Sequence, residues 1–150
     1  MRILVCGGRD FGNLAVLVRR RITSGPAYDK AKQEYEFIMR KLNELSLEWP
    51  KTPPDRYGNF LPAVTIISGK ASGVDSVAID WAVVNWCQRL EFEADWVKYG
   101  RAAGPIRNQR MLVEGKPDLV VAFPGGSGTE NMKRIAKQAK VQVKEIAVQA

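Results

Sequence analysis

The sequence predicts a Rossmann-like, doubly wound α/β domain: a five-stranded, mainly parallel sheet with helices on both faces. Three observations predict it. The runs "ILVC", "VTII" and "LVVAF" are continuously apolar rather than alternating, as strands covered on both faces require. Helical periodicity fills the intervals, so strands and helices alternate as in βαβ units with right-handed crossovers. Glycine-containing turns follow three of the strands, where a strand hands over to a helix.

The elements follow in order over a single domain, residues 1–150. The first strand is expected at Ile3–Cys6 and leads into "CGGRDFG". Residues 24–62 exceed a minimal plan and read as an insertion. It opens with the breaker "SGPAYD" and continues as a helix over 28–47, in which Tyr28, Ala31, Tyr35, Ile38, Leu42 and Leu45 form an apolar seam. That seam either covers the sheet as a second layer or pairs two copies of the chain. The proline-rich "WPKTPPDRYGNFLP" then reads as an exposed loop returning to the second strand, Val64–Ser68. The turn "SGKASGVD" precedes a helix over Val74–Gln88, with Val74, Val77, Ala78, Trp81, Ala82 and Asn85 near one face. A third strand is expected at Phe92–Val97, and a short basic helix over Pro105–Glu114. The fourth strand, Leu119–Phe123, runs into "PGGSGTE", then a helix over Asn131–Lys140 and a last strand at Val143–Val148.

Composition narrows the function classes. With 45% hydrophobic and 26% charged residues, the chain reads as soluble and globular. No stretch is apolar for long enough to span a bilayer, and "MRILVCGGRD" is too short for a signal peptide, so a cytoplasmic location is expected and no membrane partner. Cys6 and Cys87 are unclustered and read as thiols rather than a disulfide or metal site. The chain has no histidine, which removes the commonest general base and the commonest metal ligand; no metal and no resident cofactor are expected. A net charge of +7 favours anionic partners without choosing among them.

Chemistry points to the turns. In an open parallel sheet they gather at the carboxyl edge, where ligands bind beside the reversal of strand order. Gly7, Gly8, Gly69, Gly73, Gly125, Gly126 and Gly128 would let a phosphate approach the backbone at helix starts, where free N–H groups attract anions. Ser127 and Thr129 offer hydroxyls, and Lys70 lies in the second turn. Arg101, Arg107 and Arg110 cluster with Gly104, Pro105 and Asn108, and Arg107 and Arg110 would share a helix face. Asp75 reads as a helix cap or an acceptor for a ribose or base. Arg9 and Asp10 could hold a sugar or base, or pair with each other. Trp81, Trp86 and Trp96 read as core, leaving no obvious aromatic platform for single-stranded nucleic acid.

Taken together, "GGRDF", "SGKASGVDSVAIDWA", "GRAAGPIRNQRM" and "DLVVAFPGGSGTENM" closely resemble the YspA-type branch of the SLOG superfamily, over most of the chain outside 24–62. That superfamily joins the LONELY GUY phosphoribohydrolases with the Rossmann domains of DNA-processing protein A. The resemblance implies a nucleotide-type site built from Gly7, Gly8, Arg9, Gly69, Gly73, Asp75, Arg107, Gly125, Gly126, Gly128 and Thr129. It also implies a homodimer or larger assembly. One departure matters: the phosphoribohydrolases place a glutamate three residues after the threonine, and here Met132 stands there. The nearest carboxylate, Glu130, is turned roughly 200° away on a helix. The expected function is therefore binding of a nucleotide or ADP-ribose-like ligand, as a sensor or a sequestering protein of the kind that could soak up a phage-defence signal. The alternative is an N-glycosidase in which Asp10, Asp75 or Glu130 supplies the missing carboxylate. Single-stranded nucleic-acid binding is a third reading, suggested by charge.

Overall fold

The three continuously apolar runs form the centre of the sheet. A computed structural model describes residues 1–148. The chain runs β1 (Arg2–Cys6), α1 (Leu14–Arg19), α2 (Pro26–Ser46), β2 (Thr65–Ser68), α3 (Val74–Val84), β3 (Gln88–Glu91), α4 (Trp96–Tyr99), α5 (Ala103–Val113), β4 (Leu119–Ala122), α6 (Ser127–Gln138) and β5 (Gln142–Glu145). Strand order is β3-β2-β1-β4-β5, and every neighbouring pair is parallel. Order reverses between β1 and β4.

The side-chain period of a strand divides the core in two. Ile3 and Val5 of β1 face one cluster, with Ile38 and Leu42 of α2, Val77 and Trp81 of α3, and Phe123. Leu4 and Cys6 face the other, with Met111 of α5 and Met132 and Ala136 of α6. Ile3, Leu4 and Val5 are fully buried, which is why this strand tolerates no alternation.

The α2 seam is occupied within the protomer. Ala31, Ile38 and Leu42 are buried, Tyr35 donates a hydrogen bond to Asp80 Oδ2 of α3 (3.0 Å), and Trp81 Nε1 donates to Asn43 Oδ1 (2.8 Å). The loop behind α2 is largely exposed but anchored by Trp49, whose ring meets Trp81 edge-on at 5.8 Å.

Edge elements depart from expectation. The third strand is Gln88–Glu91, not Phe92–Val97. Like β5 it is polar and largely exposed, because an edge strand need not be apolar on both faces. Trp96–Tyr99 is instead one helical turn, capped by Asp95, whose side chain accepts the Lys98 N–H. β5 starts at Gln142 and ends at Glu145, short of the expected Val148. α1 buries no residue and so has no periodic signature. α3 stops at Val84, and α5 begins at Ala103. α6 begins at Ser127, four residues earlier than periodicity suggests, which draws half of the last glycine turn into its first turn. No helix among the described residues is long and apolar enough to cross a membrane.

Candidate functional site

The first strand must leave the sheet between two others, and its turn is stitched to both. Gly8 N–H donates to the Pro124 carbonyl (2.8 Å) after β4, and Val74 N–H donates to the Gly8 carbonyl (3.3 Å) at the start of α3. Ser72 Oγ donates to the Arg9 carbonyl (3.2 Å). From α5, Arg107 Nη1 donates to the Gly69 carbonyl, and Asn108 Nδ2 donates to the Gly128 carbonyl (3.1 Å) and Asn131 Oδ1 (3.0 Å). The four stretches singled out in the sequence therefore meet at the carboxyl edge of β1, β2 and β4.

Their glycines divide into two kinds. Gly73 has φ +76°, and a Cβ there would strike the Gly8 and Arg9 carbonyls. At Gly69 a Cβ would sit 2.7 Å from Arg107 Nη1 and 2.9 Å from Asp75 Oδ2. Gly7 is held by Val74, and Gly125 by the Thr129 side chain and the Gly8 nitrogen. These four are glycine because protein packs against them, so the expected ligand approach does not explain them. Gly126 and Gly128 differ: a Cβ on either would meet nothing within 4 Å. They flank the amino end of α6, whose first backbone bond runs from Glu130 N–H to the Gly126 carbonyl (3.0 Å). The N–H groups of Ser127, Gly128 and Thr129 thus lie ahead of the helical ladder, at the positive end of its dipole. The capping residue is Gly126, so the cap itself offers them no side-chain hydrogen bond.

A cavity of about 230 Å³ is lined by Arg9, Gly69, Lys70, Ala71, Ser72, Glu93, Ala94, Trp96 and Arg107; the expected residues Gly125, Gly126, Ser127, Gly128 and Thr129 are not part of its lining. Arg107 is 9% exposed, and among the described residues no carboxylate reaches it at ion-pair distance. Burial lowers its pKa, while the nearby charge of Asp75 works the other way. Lys70 holds φ +58°. The other non-glycine residues with positive φ (Arg21, Trp86, Lys116 and Lys140) all follow helix ends, where left-handed backbone is common. Among the described residues Lys70 alone follows a strand, and it carries about 1–2 kcal/mol of strain at the cavity wall.

Asp75 lies under the cavity floor and does not line it. It is the second residue of α3 rather than its cap, which is Gly73, and Oδ2 accepts the Ala71 N–H (3.2 Å), pinning the 68–75 loop. Burial pushes its carboxyl up to about 6, against the opposing pull of Arg107, the Ala71 hydrogen bond and Arg9.

Other candidates stand apart. Asp10 and Arg101 are exposed and line no part of the cavity. Arg110 does not act beside Arg107: it pairs with Glu114 (3.1 Å) and lies over Phe92, because Arg107 turns into the buried side of α5. Glu130 pairs with Lys133 (2.6 Å), which also bridges to Glu145 (2.7 Å). Met132 is fully buried in the second core cluster. Two tryptophans expected in the core are not there. Trp86 is 83% exposed, and Trp96 is 46% exposed at the cavity wall with the Arg9 guanidinium 4.7 Å from its ring centroid. The apolar run around Trp96 reads as a strand, and only its helical cap, Asp95, could have signalled otherwise.

An open, all-parallel sheet with a cation-lined cavity beyond the carboxyl ends of β1, β2 and β3 defines a Rossmann-like domain. The model of the YAcAr family (YspA, cpYpsA-related SLOG) matches residues 1–99, and the chain belongs to that family. The match spans β1 through α4; α5 and the 124–129 turn follow it. The chain is also similar to Gene 61 protein of Mycobacterium phage D29, 34% identical over 90 residues that cover 53% of this chain and 69% of the phage protein. Family membership suggests a nucleotide-related ligand.

Proposed function

We propose that the domain binds a nucleotide or nucleotide-derived, ADP-ribose-like ligand without cleaving it, as a sensor or a sequestering protein. Arg107 carries the reading. Arg107 is nine-tenths buried, and among the described residues it is offered carbonyl and amide oxygens and the nearby charge of Asp75 but no ion pair. Arg107 faces a cavity that also presents Arg9 and Lys70, so a phosphate group supplies the missing negative charge in a geometry guanidinium groups favour. The open amino end of α6 does not line the cavity but is linked to Arg107 through the Asn108 side chain, which accepts from Arg107 Nε and donates to the Gly128 carbonyl. Absence of cleavage is supported by Met132 in the core and by Glu130 held in surface ion pairs.

Calorimetry of the full chain against a nucleotide panel tests this directly. Binding should weaken about 10- to 150-fold in Arg107→Ala, and by less in Arg107→Lys, which keeps the charge but not the fork. No binding at millimolar concentration by any nucleotide contradicts the proposal. One observation favours an N-glycosidase instead: the Asp75 carboxyl, raised to about 6 beneath the cavity, is in the range of a general acid. Incubation with nucleoside monophosphates and NAD decides, since release of free base that disappears in Asp75→Asn would establish cleavage. A homodimer or larger assembly belongs to the proposal as well. With the α2 seam buried, it would use another face, and light scattering showing only 16.7 kDa particles would contradict it.

A further inference from the structure

Trp96 is not explained by the core or by a bare anion site. It sits on α4, a turn fixed by Asp95, with the far edge of its ring close to Gly104 at the start of α5. Nearly half of the side chain is exposed, and it forms one wall of the cavity that Arg107 and Lys70 also line. An indole left in water forgoes hydrophobic stabilisation unless something apolar and flat covers it. The Arg9 guanidinium rests 4.7 Å from the ring centroid and makes no ion pair among the described residues. A planar cation and an aromatic ring therefore stand together, adjoining phosphate-binding cations. Nucleobases stack on both kinds of surface.

We propose that Trp96, with Arg9, is the base-binding wall of the cavity and determines that its ligand carries a nucleobase rather than being a bare sugar phosphate. The inference rests on the reading of the cavity as a nucleotide site. The Glu93 carboxylate on the same lining is placed to accept hydrogen bonds from an exocyclic amino group. Arg107 and Lys70 hold the phosphate end, so the two recognition tasks fall to different residues.

The experiment titrates the full chain with the four nucleoside 5′-monophosphates and with ribose 5-phosphate, by calorimetry and by quenching of tryptophan fluorescence. Trp49 and Trp81 are buried, so quenching reports on Trp96 or Trp86, and Trp96→Phe separates the two. At least one monophosphate should bind about 5- to 150-fold more tightly than ribose 5-phosphate, the advantage one stacked base provides. Trp96→Ala should remove that advantage and leave ribose 5-phosphate affinity unchanged, while Trp96→Phe retains most of it. Equal affinity for ribose 5-phosphate and all four monophosphates overturns the inference but leaves the anion site standing. So does a Trp96→Ala variant that weakens both ligand types alike. Failure of every probe to bind overturns the nucleotide reading and this inference together.

Discussion

In the turn after β2, Gly69 and Gly73 stand where a methyl group would strike Arg107, Asp75 or the β1 turn; in the turn after β4, a methyl group on Gly126 or Gly128 would meet nothing within 4 Å. The same residue type thus serves two ends. The first turn is a joint, closed by packing and by the buried Asp75 carboxyl beneath it. The second is an open surface presenting amide donors. Glycine in a strand-to-helix turn therefore indicates a close approach without saying whether protein or ligand makes it.

The largest effect that would break this contrast lies in the joint. Gly73→Ala combines a strained φ with a collision against two carbonyls and should cost about 4 kcal/mol, measured by denaturant unfolding. A loss below about 1 kcal/mol would show that the turn is less tightly closed than described.

The pH dependence of the joint comes next. The folded pKa of Asp75, about 6, is above its ordinary value, so the folded state holds this proton more tightly than the unfolded chain. Its contribution is fully present below about pH 4 and lost as pH rises through 6, about 3 kcal/mol in all. Comparing unfolding at pH 4 and pH 7 should show that decline in the wild type and a flatter profile in Asp75→Asn. Identical profiles would mean that burial does not set this carboxyl.

Lys70→Gly bears on the boundary between joint and surface. It should stabilise the fold by about 1 kcal/mol by relieving left-handed strain while weakening nucleotide binding, a trade that a purely structural lysine would not show. The smallest stability effect belongs to the open turn. Gly128→Ala, inside the first turn of α6, should gain about 0.5–1 kcal/mol and weaken phosphate binding by intruding on the open amides. Unchanged affinity in that variant would remove the α6 turn from the site.

The central strands and the gathering of the glycine turns were legible because burial on both faces leaves a continuous apolar run that no other element needs. Arg107 was legible as an unusual charge beside Gly104 and Pro105, although its separation from Arg110 was not: a one-turn helical spacing does not say which side of a helix is covered. Trp96 was missed for the opposite reason. Its run looks like a buried strand, whereas the polar "QRLE" segment takes the edge of the sheet. An edge strand leaves one side unpaired and can be polar, so hydropathy pointed to the wrong neighbour. The start of α6 was also obscured, since glycine and serine in a first turn carry no apolar period.

The sequence by itself determined the alternation of strand and helix, the three-strand centre and the set of turns at one edge, because local periodicity and burial demand them. Tertiary structure alone decided which glycines are closed by packing and which face open space, and that Arg107 makes no ion pair among the described residues. It also placed Trp96 on the cavity wall. Those outcomes depend on contacts between residues far apart in the chain, such as Arg107 with Gly69 and Asn108 with Gly128, separated by 38 and 20 positions. No local pattern encodes the distance between two loops; the sheet that carries them does.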